Sequence, residues 1–442
     1  MKNAGGKNKL IIIGGGLAGC EAAWQAANKG VSVILFEMKP KRFSPAHLSE
    51  DLAELVCSNS LRSNSSENAS GLLKEEMRKM DSVILKAADE TKVPAGSALA
   101  VDRQGFSRTI TKTLNSNDNI EIIREEIRSI PSEAMTVIAT GPLTSEALAK
   151  EIQSLIGEDY LYFYDAIAPI VETDSINFDT AYRASRYGKG GDDYINCPMT
   201  KKQYTLFINA LLNAEKMPVK KIDKPVAFEG CMPIEVMAQR GKDTLAFGPM
   251  KPVGLVDPKT GNRPYAVVQL RQDNRYGTLY NIVGFQTKLR WDEQKRIFRM
   301  IPGLEHAEFA RLGSLHRNTF INSRRLLMNS LQLRKNPSLF FAGQITGVEG
   351  YIESSAMGLI AGINASRAIH HLPLLPLPNT TAMGALIAYI TETSDRDFQP
   401  MNINFGLFPP LKEKVKKEFK RKKIVQRALA DLEKWKENLK TE

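Results

Sequence analysis

The sequence predicts an α/β fold: a Rossmann-like dinucleotide-binding domain interrupted by a mixed α+β insertion domain. Three observations carry this. A strand, a glycine loop, a helix and a second strand stand in register in "IIIGGGLAGCEAAWQAANKGVSVILFE", from Ile11 to Glu37. A further strand–glycine–helix unit returns late, in "SLFFAGQITGVEGYIESSAMGLIAGINAS" from Ser338. Between the two, from about Asp165, lie short strand-like segments separated by turn signals.

Leu10 to Ile13 is an apolar run of the kind that is buried on both faces of a parallel sheet. Gly14, Gly16 and Gly19 follow at G-x-G-x-x-G spacing, with Gly15, Leu17 and Ala18 completing the loop. The first glycine allows the tight turn, the second lets backbone approach a pyrophosphate, and the third lets the helix pack close on the strand. Ala18 to Lys29 reads as a helix whose positive end faces the phosphates. Val31 to Phe36 is the second strand, and Glu37 ends it, placed to accept hydrogen bonds from ribose hydroxyls.

Residues 41–75 are polar, as in "LVCSNSLRSNSSENASG". Composition makes them a surface loop, but their place after the second strand puts them on the ligand side of the sheet. Lys74 to Thr91 reads as one helix, and "TVIATGPLTS" as a buried strand running into Thr140 and Gly141. In the insertion, tyrosines cluster between Tyr162 and Tyr204. Four segments then read as strands: "KPVAFEGCMPIEVMA", "TLAFGPMKPVGL", "YAVVQLRQDN" and "LYNIVGFQTKL". Leu339 to Ala342 restores the first pattern, with Gly343, Gly350 and Tyr351 in the loop that closes the nucleotide site. The predicted organisation is residues 1–165 and 319–442 as one nucleotide-binding domain, and residues 166–318 as the insertion.

The net charge is +11 and the pI about 9.3, more than a dinucleotide site requires; a polyanionic partner accounts for it. The excess concentrates in "LKEKVKKEFKRKKIVQR", with nine Lys or Arg against two Glu, which reads as a solvated helix face or a nucleic-acid contact. No apolar run reaches membrane-spanning length and no leader is apparent, so the expected location is cytoplasmic. The four cysteines, Cys20, Cys57, Cys197 and Cys231, are far apart, which predicts free thiols and no metal site.

Over nearly its whole length the sequence resembles the folate- and FAD-dependent RNA uracil-5-methyltransferases. The resemblance rests on "GGGLAGCEAA", "ELVCSNSLRS", "FEGCMPIEVMA" with "FGPMKPVGL", "LHRNTFINS" and "FFAGQITGVEGYIESSAMGLIAGINA". It implies a FAD-binding domain of glutathione-reductase type. It also implies 5,10-methylenetetrahydrofolate as carbon donor, NADH or NADPH as reductant, and a uridine of tRNA, at position 54 of the T loop, as acceptor. The same chemistry on ribosomal RNA is an alternative. A wobble-uridine-modifying FAD enzyme is another, though that family is longer. No obligate protein partner is implied.

Carbon 5 of uracil is a poor nucleophile, and thiolate addition at carbon 6 activates it. Residue chemistry alone makes Cys231 a buried structural cysteine; the motif match makes it the nucleophile. Cys57 is the second catalytic candidate, as a proton-transfer or supporting thiol. His316 is a candidate to stack on the pterin, or a plain surface histidine. Tyr351 covers a flat ligand or belongs to the core, and Glu353 is a candidate base. The basic residues of "PMKPVGL" and "QLRQDN" suit either RNA phosphate or the folate glutamate.

Overall fold

The computed structural model describes residues 9–157, 161–217, 232–392 and 398–440. Cys231 lies outside them. His316 lies in a described strand, Leu315–Phe320, but its side chain is not described.

The first sheet has six strands in the order Gln332–Leu333, Asn336–Phe341, Met135–Ile138, Lys9–Ile13, Ser32–Glu37, Ile120–Arg124. All pairings are parallel except that of the edge strand Gln332–Leu333. The apolar run 10–13 sits at the centre, with Ile12 opposite both Leu35 and Val137. Helix Leu17–Ala27 follows the first strand and packs against helix Tyr351–Ile369. The two meet at backbone distance. A methyl group on Gly358 would come within 2.1 Å of the Ala18 carbonyl oxygen, and one on Gly362 within 2.5 Å of the Ala22 carbonyl oxygen. The small-residue face of the late helix is therefore a contact surface.

A second, antiparallel sheet takes its six strands from residues 170–311, with Tyr194–Met199, Ala266–Gln272 and Leu279–Ile282 at its centre. Phe207, Phe285 and Phe298 fill a separate core beneath it. A two-stranded ribbon, Leu161–Ala166 with Leu315–Phe320, stands where the chain passes between the sheets.

Several elements differ from expectation. Residues 74–91 form two helices, Ala69–Lys79 and Val83–Glu90, broken at Asp81, whose φ is +60°. Ile234–Gln239 is a helix rather than a strand: Pro233 stands at its N-cap, where its missing N–H costs nothing. Thr244–Phe247 is a helical turn, and Pro249 and Pro252 remove the N–H groups a following strand would need. The basic tail is helix Lys417–Lys440. Ile424, Ala428, Leu432 and Trp435 recur at helical spacing and are buried in the first core, while Lys417, Lys420, Lys422 and Lys423 face solvent. The tail is thus both a structural helix and a basic surface. Among the described residues no helix is long and apolar enough to cross a membrane.

Candidate functional site

The glycine loop lies at the carboxyl ends of the first two strands. Gly14 has φ +108°, and its N–H donates to the Phe36 carbonyl oxygen at 2.8 Å, which ties the turn to the second strand. A methyl group on Gly19 would stand 1.8 Å from the Gly14 carbonyl oxygen, so the helix rests directly on the turn. At Gly16 the opposite holds: a methyl group there would meet nothing within 4 Å. Gly16 therefore presents bare backbone to an open space. Helix Leu17–Ala27 has no side-chain cap and no acid in its first turn, so its N–H groups and positive end remain for an anion.

Glu37 is buried, and its carboxylate accepts from the Gly15 N–H (2.8 Å) and the Lys39 N–H (2.9 Å). It braces the glycine loop from behind, a role that motif spacing does not reveal. Each oxygen keeps a second lone pair, so the ribose contact expected of it stays available.

This loop walls a cleft. Gly14 to Ala18, Glu37, Gly141, Gly343 and Tyr351 all line it; Gly19 lies beneath it, and Gly350 lines the neighbouring cavity. An open glycine ridge, an uncapped helix N-terminus and a carboxylate at the end of the second strand are the parts a dinucleotide such as FAD requires, and the residues present fit it.

A second cavity shares Val56, Pro142, Leu143, Gln344 and Tyr351 with the cleft. Cys57 lines it, half-buried, at the end of the polar loop. The Tyr351 hydroxyl oxygen accepts from the backbone N–H groups of Cys57 (2.7 Å) and Ser58 (3.2 Å). Burial, and then the neighbouring Cys57, push the tyrosine pKa well above its ordinary value, so it stays a neutral phenol. Tyr351 thus joins the two spaces and fixes the cysteine loop. Arg103 makes a two-pronged pair with Asp273 (3.1 and 2.7 Å) and also donates to the Leu55 carbonyl, anchoring the same loop from below.

Three polar groups of this cavity were not singled out in the sequence: Arg271, which reads there as one basic residue among several, and Asn318 and Arg62, which stand inside "LHRNTFINS" and "ELVCSNSLRS" without a role of their own. Arg62 has φ +64°, unusual for a non-glycine residue, and pairs with the buried Glu353 at 3.5 Å. Glu353 also accepts from the Ile403 N–H at 3.1 Å, so the candidate base is held by two donors. The buried Lys74 donates to the Leu61 and Ser70 carbonyls, and burial, opposed by Glu353, lowers its pKa to about 8. Cys20 and Cys197 are wholly buried, and burial drives both thiols far up; they belong to the two cores.

Comparison with known proteins agrees with this geometry. The family model described as glucose inhibited division protein A matches residues 9–373. The methylenetetrahydrofolate--tRNA-(uracil-5-)-methyltransferase TrmFO of Natranaerobius thermophilus is 61% identical over 425 residues, which cover 96% of this chain and 98% of that protein. TrmFO of Geobacter sulfurreducens is 61% identical over 428 residues, with 96% and 98% covered. The chain belongs to the TrmFO family. It is, as a TrmFO-family member, an enzyme of the methyltransferase class. A solved structure of Aquifex aeolicus GidA superposes with a TM-score of 0.69 at 17% identity, covering 97% of this chain and 73% of that one. At that identity it speaks for the fold alone, the Rossmann-type sheet described above. The TrmFO relatives match beyond the glycine loop, through the insertion and into the late helix.

Proposed function

We propose that this chain methylates carbon 5 of a uridine in tRNA, at position 54 of the T loop. The carbon donor is 5,10-methylenetetrahydrofolate, the cofactor FAD, and the reductant NADH or NADPH. The observation that carries the reading is the pair of adjoining spaces: a dinucleotide cleft and a thiol-bearing cavity with Tyr351 as a common wall. FAD, when bound, supplies the redox chemistry that turns a methylene into a methyl group.

The chain's own residues do the rest. Cys231, carried by the insertion of residues 166–318, is the thiolate that adds to carbon 6. Cys57, held by Tyr351 at the junction, handles the proton or supports the adduct. His316 is the platform for the pterin. Residues 1–165 and 319–442 form the cofactor unit. The test is nucleoside mapping of an unmodified tRNA transcript incubated with the enzyme, methylenetetrahydrofolate and reduced nicotinamide. A single new 5-methyluridine at position 54 is expected; methylation of ribosomal RNA alone, or of a wobble uridine, would overturn the assignment.

The tail tests the RNA interface. Truncation would strip Ile424, Ala428, Leu432 and Trp435 from the core, so charge reversal is the cleaner change. Lys417→Glu, Lys420→Glu and Lys423→Glu together are expected to weaken tRNA binding and flatten its salt dependence, by roughly 0.7 to 0.9 in log–log slope for each phosphate no longer neutralised. Flavin content should not change. An unaltered slope would remove this face from the RNA interface.

A further inference from the structure

Arg271 is 7% exposed on the central strand of the second sheet, yet among the described residues it pairs with no carboxylate. Its Nε donates to the Asn59 Oδ1 at 3.1 Å and one Nη2 hydrogen to the Ser58 Oγ at 2.7 Å, both neutral acceptors. The nearby Asp273 is engaged by Arg103. Nη1 therefore has no acceptor among the described residues, and the side chain lines the cavity that holds Cys57. A buried cation without a counter-charge is costly, and such groups are retained where an anion arrives. Asn318 adds a second, independent sign. It is 3% exposed, lines the same cavity, and its amide has no hydrogen-bond partner among the described residues. A buried amide of this kind has both a donor and an acceptor to offer to a planar heterocycle.

We infer that Arg271 and Asn318 form the subsite for the carbonyl edge of the target pyrimidine, with Arg271 receiving the negative charge that develops on its carbon 4 oxygen. This rests on the uridine-methylation reading above. When a thiolate adds to carbon 6, the carbon–sulfur bond forms and the carbon 5–carbon 6 π pair shifts to a carbon 4–carbon 5 double bond. The carbonyl π electrons move onto the oxygen, which becomes an enolate. No proton moves in this step, so the charge needs a cation already in place. A guanidinium that cannot deprotonate, fixed by Ser58 and Asn59, meets that need without reorganising. Asn318 reads the neighbouring imide N–H or carbonyl, which the resting uracil and the adduct share. Arg271 therefore acts on the rate of addition and Asn318 on binding of the base.

The test is the rate of covalent trapping with 5-fluorouridine-containing tRNA, alongside kcat and KM for tRNA and for methylenetetrahydrofolate. R271M is expected to slow trapping and kcat by about 10²- to 10³-fold, with both KM values within about twofold of the parent. R271K, which keeps a charge if the methionine variant folds poorly, should recover about tenfold of that loss. N318A should raise KM for tRNA more than it lowers kcat. A raised folate KM at normal trapping rate in R271M would assign the guanidinium to a folate carboxylate. A raised tRNA KM at normal kcat would assign it to a phosphate. Either result, or unchanged kinetics, overturns the inference. Failure of the underlying reading looks different: the unsubstituted enzyme would neither trap nor methylate tRNA.

Discussion

Replacing Cys231 by alanine is expected to abolish methyl transfer while leaving the flavin bound. A nucleophile that opens the reaction covalently has no substitute, so the fall should be on the order of 10⁴-fold or more. The described residues that line the cofactor cleft fall between Ile13 and Leu148 and between Gly343 and Ser354, far from position 231 in sequence, so flavin absorbance should match the parent. With 5-fluorouridine RNA the parent should form a stable covalent complex, because fluorine cannot leave as a proton does. Cys57→Ala should also lose turnover but still form the adduct if that thiol acts after addition. Peptide mapping separates the two: an adduct on Cys57 and none on Cys231 would reverse the roles, and a fully active Cys231→Ala enzyme would end the thiolate mechanism at that position.

The second large effect is expected at the glycine ridge. Gly16→Val should yield a folded, colourless protein. The side chain points into open space, so the apo fold tolerates it, but it fills the volume a pyrophosphate needs. Flavin content after purification, read from visible absorbance, should fall below about one-tenth of the parent, at least a tenfold weakening of binding, or about 1.4 kcal/mol. Gly19→Ala is the contrasting change. Its methyl group would overlap the Gly14 carbonyl, so the loss there should be of the fold itself, seen as a lower melting temperature even with excess FAD. Full flavin occupancy in Gly16→Val would place the nucleotide elsewhere.

The parts of this site that were legible in the sequence are those set by local rules. Glycine spacing, a flanking apolar strand and a terminal acid are all contained within Ile11–Glu37, and the structure builds each of them. The loop bearing Cys57 is placed on the ligand side by its position after a strand, and it lines the cavity there. What was not legible depends on distant contacts. Arg271 reads in the sequence as one of several basic residues suited to RNA phosphate or the folate glutamate, and nothing local marks it as buried. It is buried because the Ser58–Asn59 turn, more than 200 residues earlier, folds over that face of the sheet. The segment around Ile234 is rich in β-favouring residues, yet the proline before it starts a helix. In the tail, charge hides an apolar stripe that only its helical spacing reveals.

The close backbone packing of helix Tyr351–Ile369 on helix Leu17–Ala27 also dictates when the molecule is assembled. One wall of the cofactor cleft is made within the first 40 residues, and the facing wall more than 300 residues later. A growing chain released from the ribosome in order must leave the face of helix Leu17–Ala27 that packs on the late helix uncovered until Tyr351–Ile369 has emerged. The antiparallel sheet between them can complete its own pairings meanwhile. Closing so long a loop is slow relative to local structure formation, and the exposed parallel edge is prone to association during the wait. The cofactor cleft is therefore complete only after its second wall, at Gly343 to Ser354, has been made.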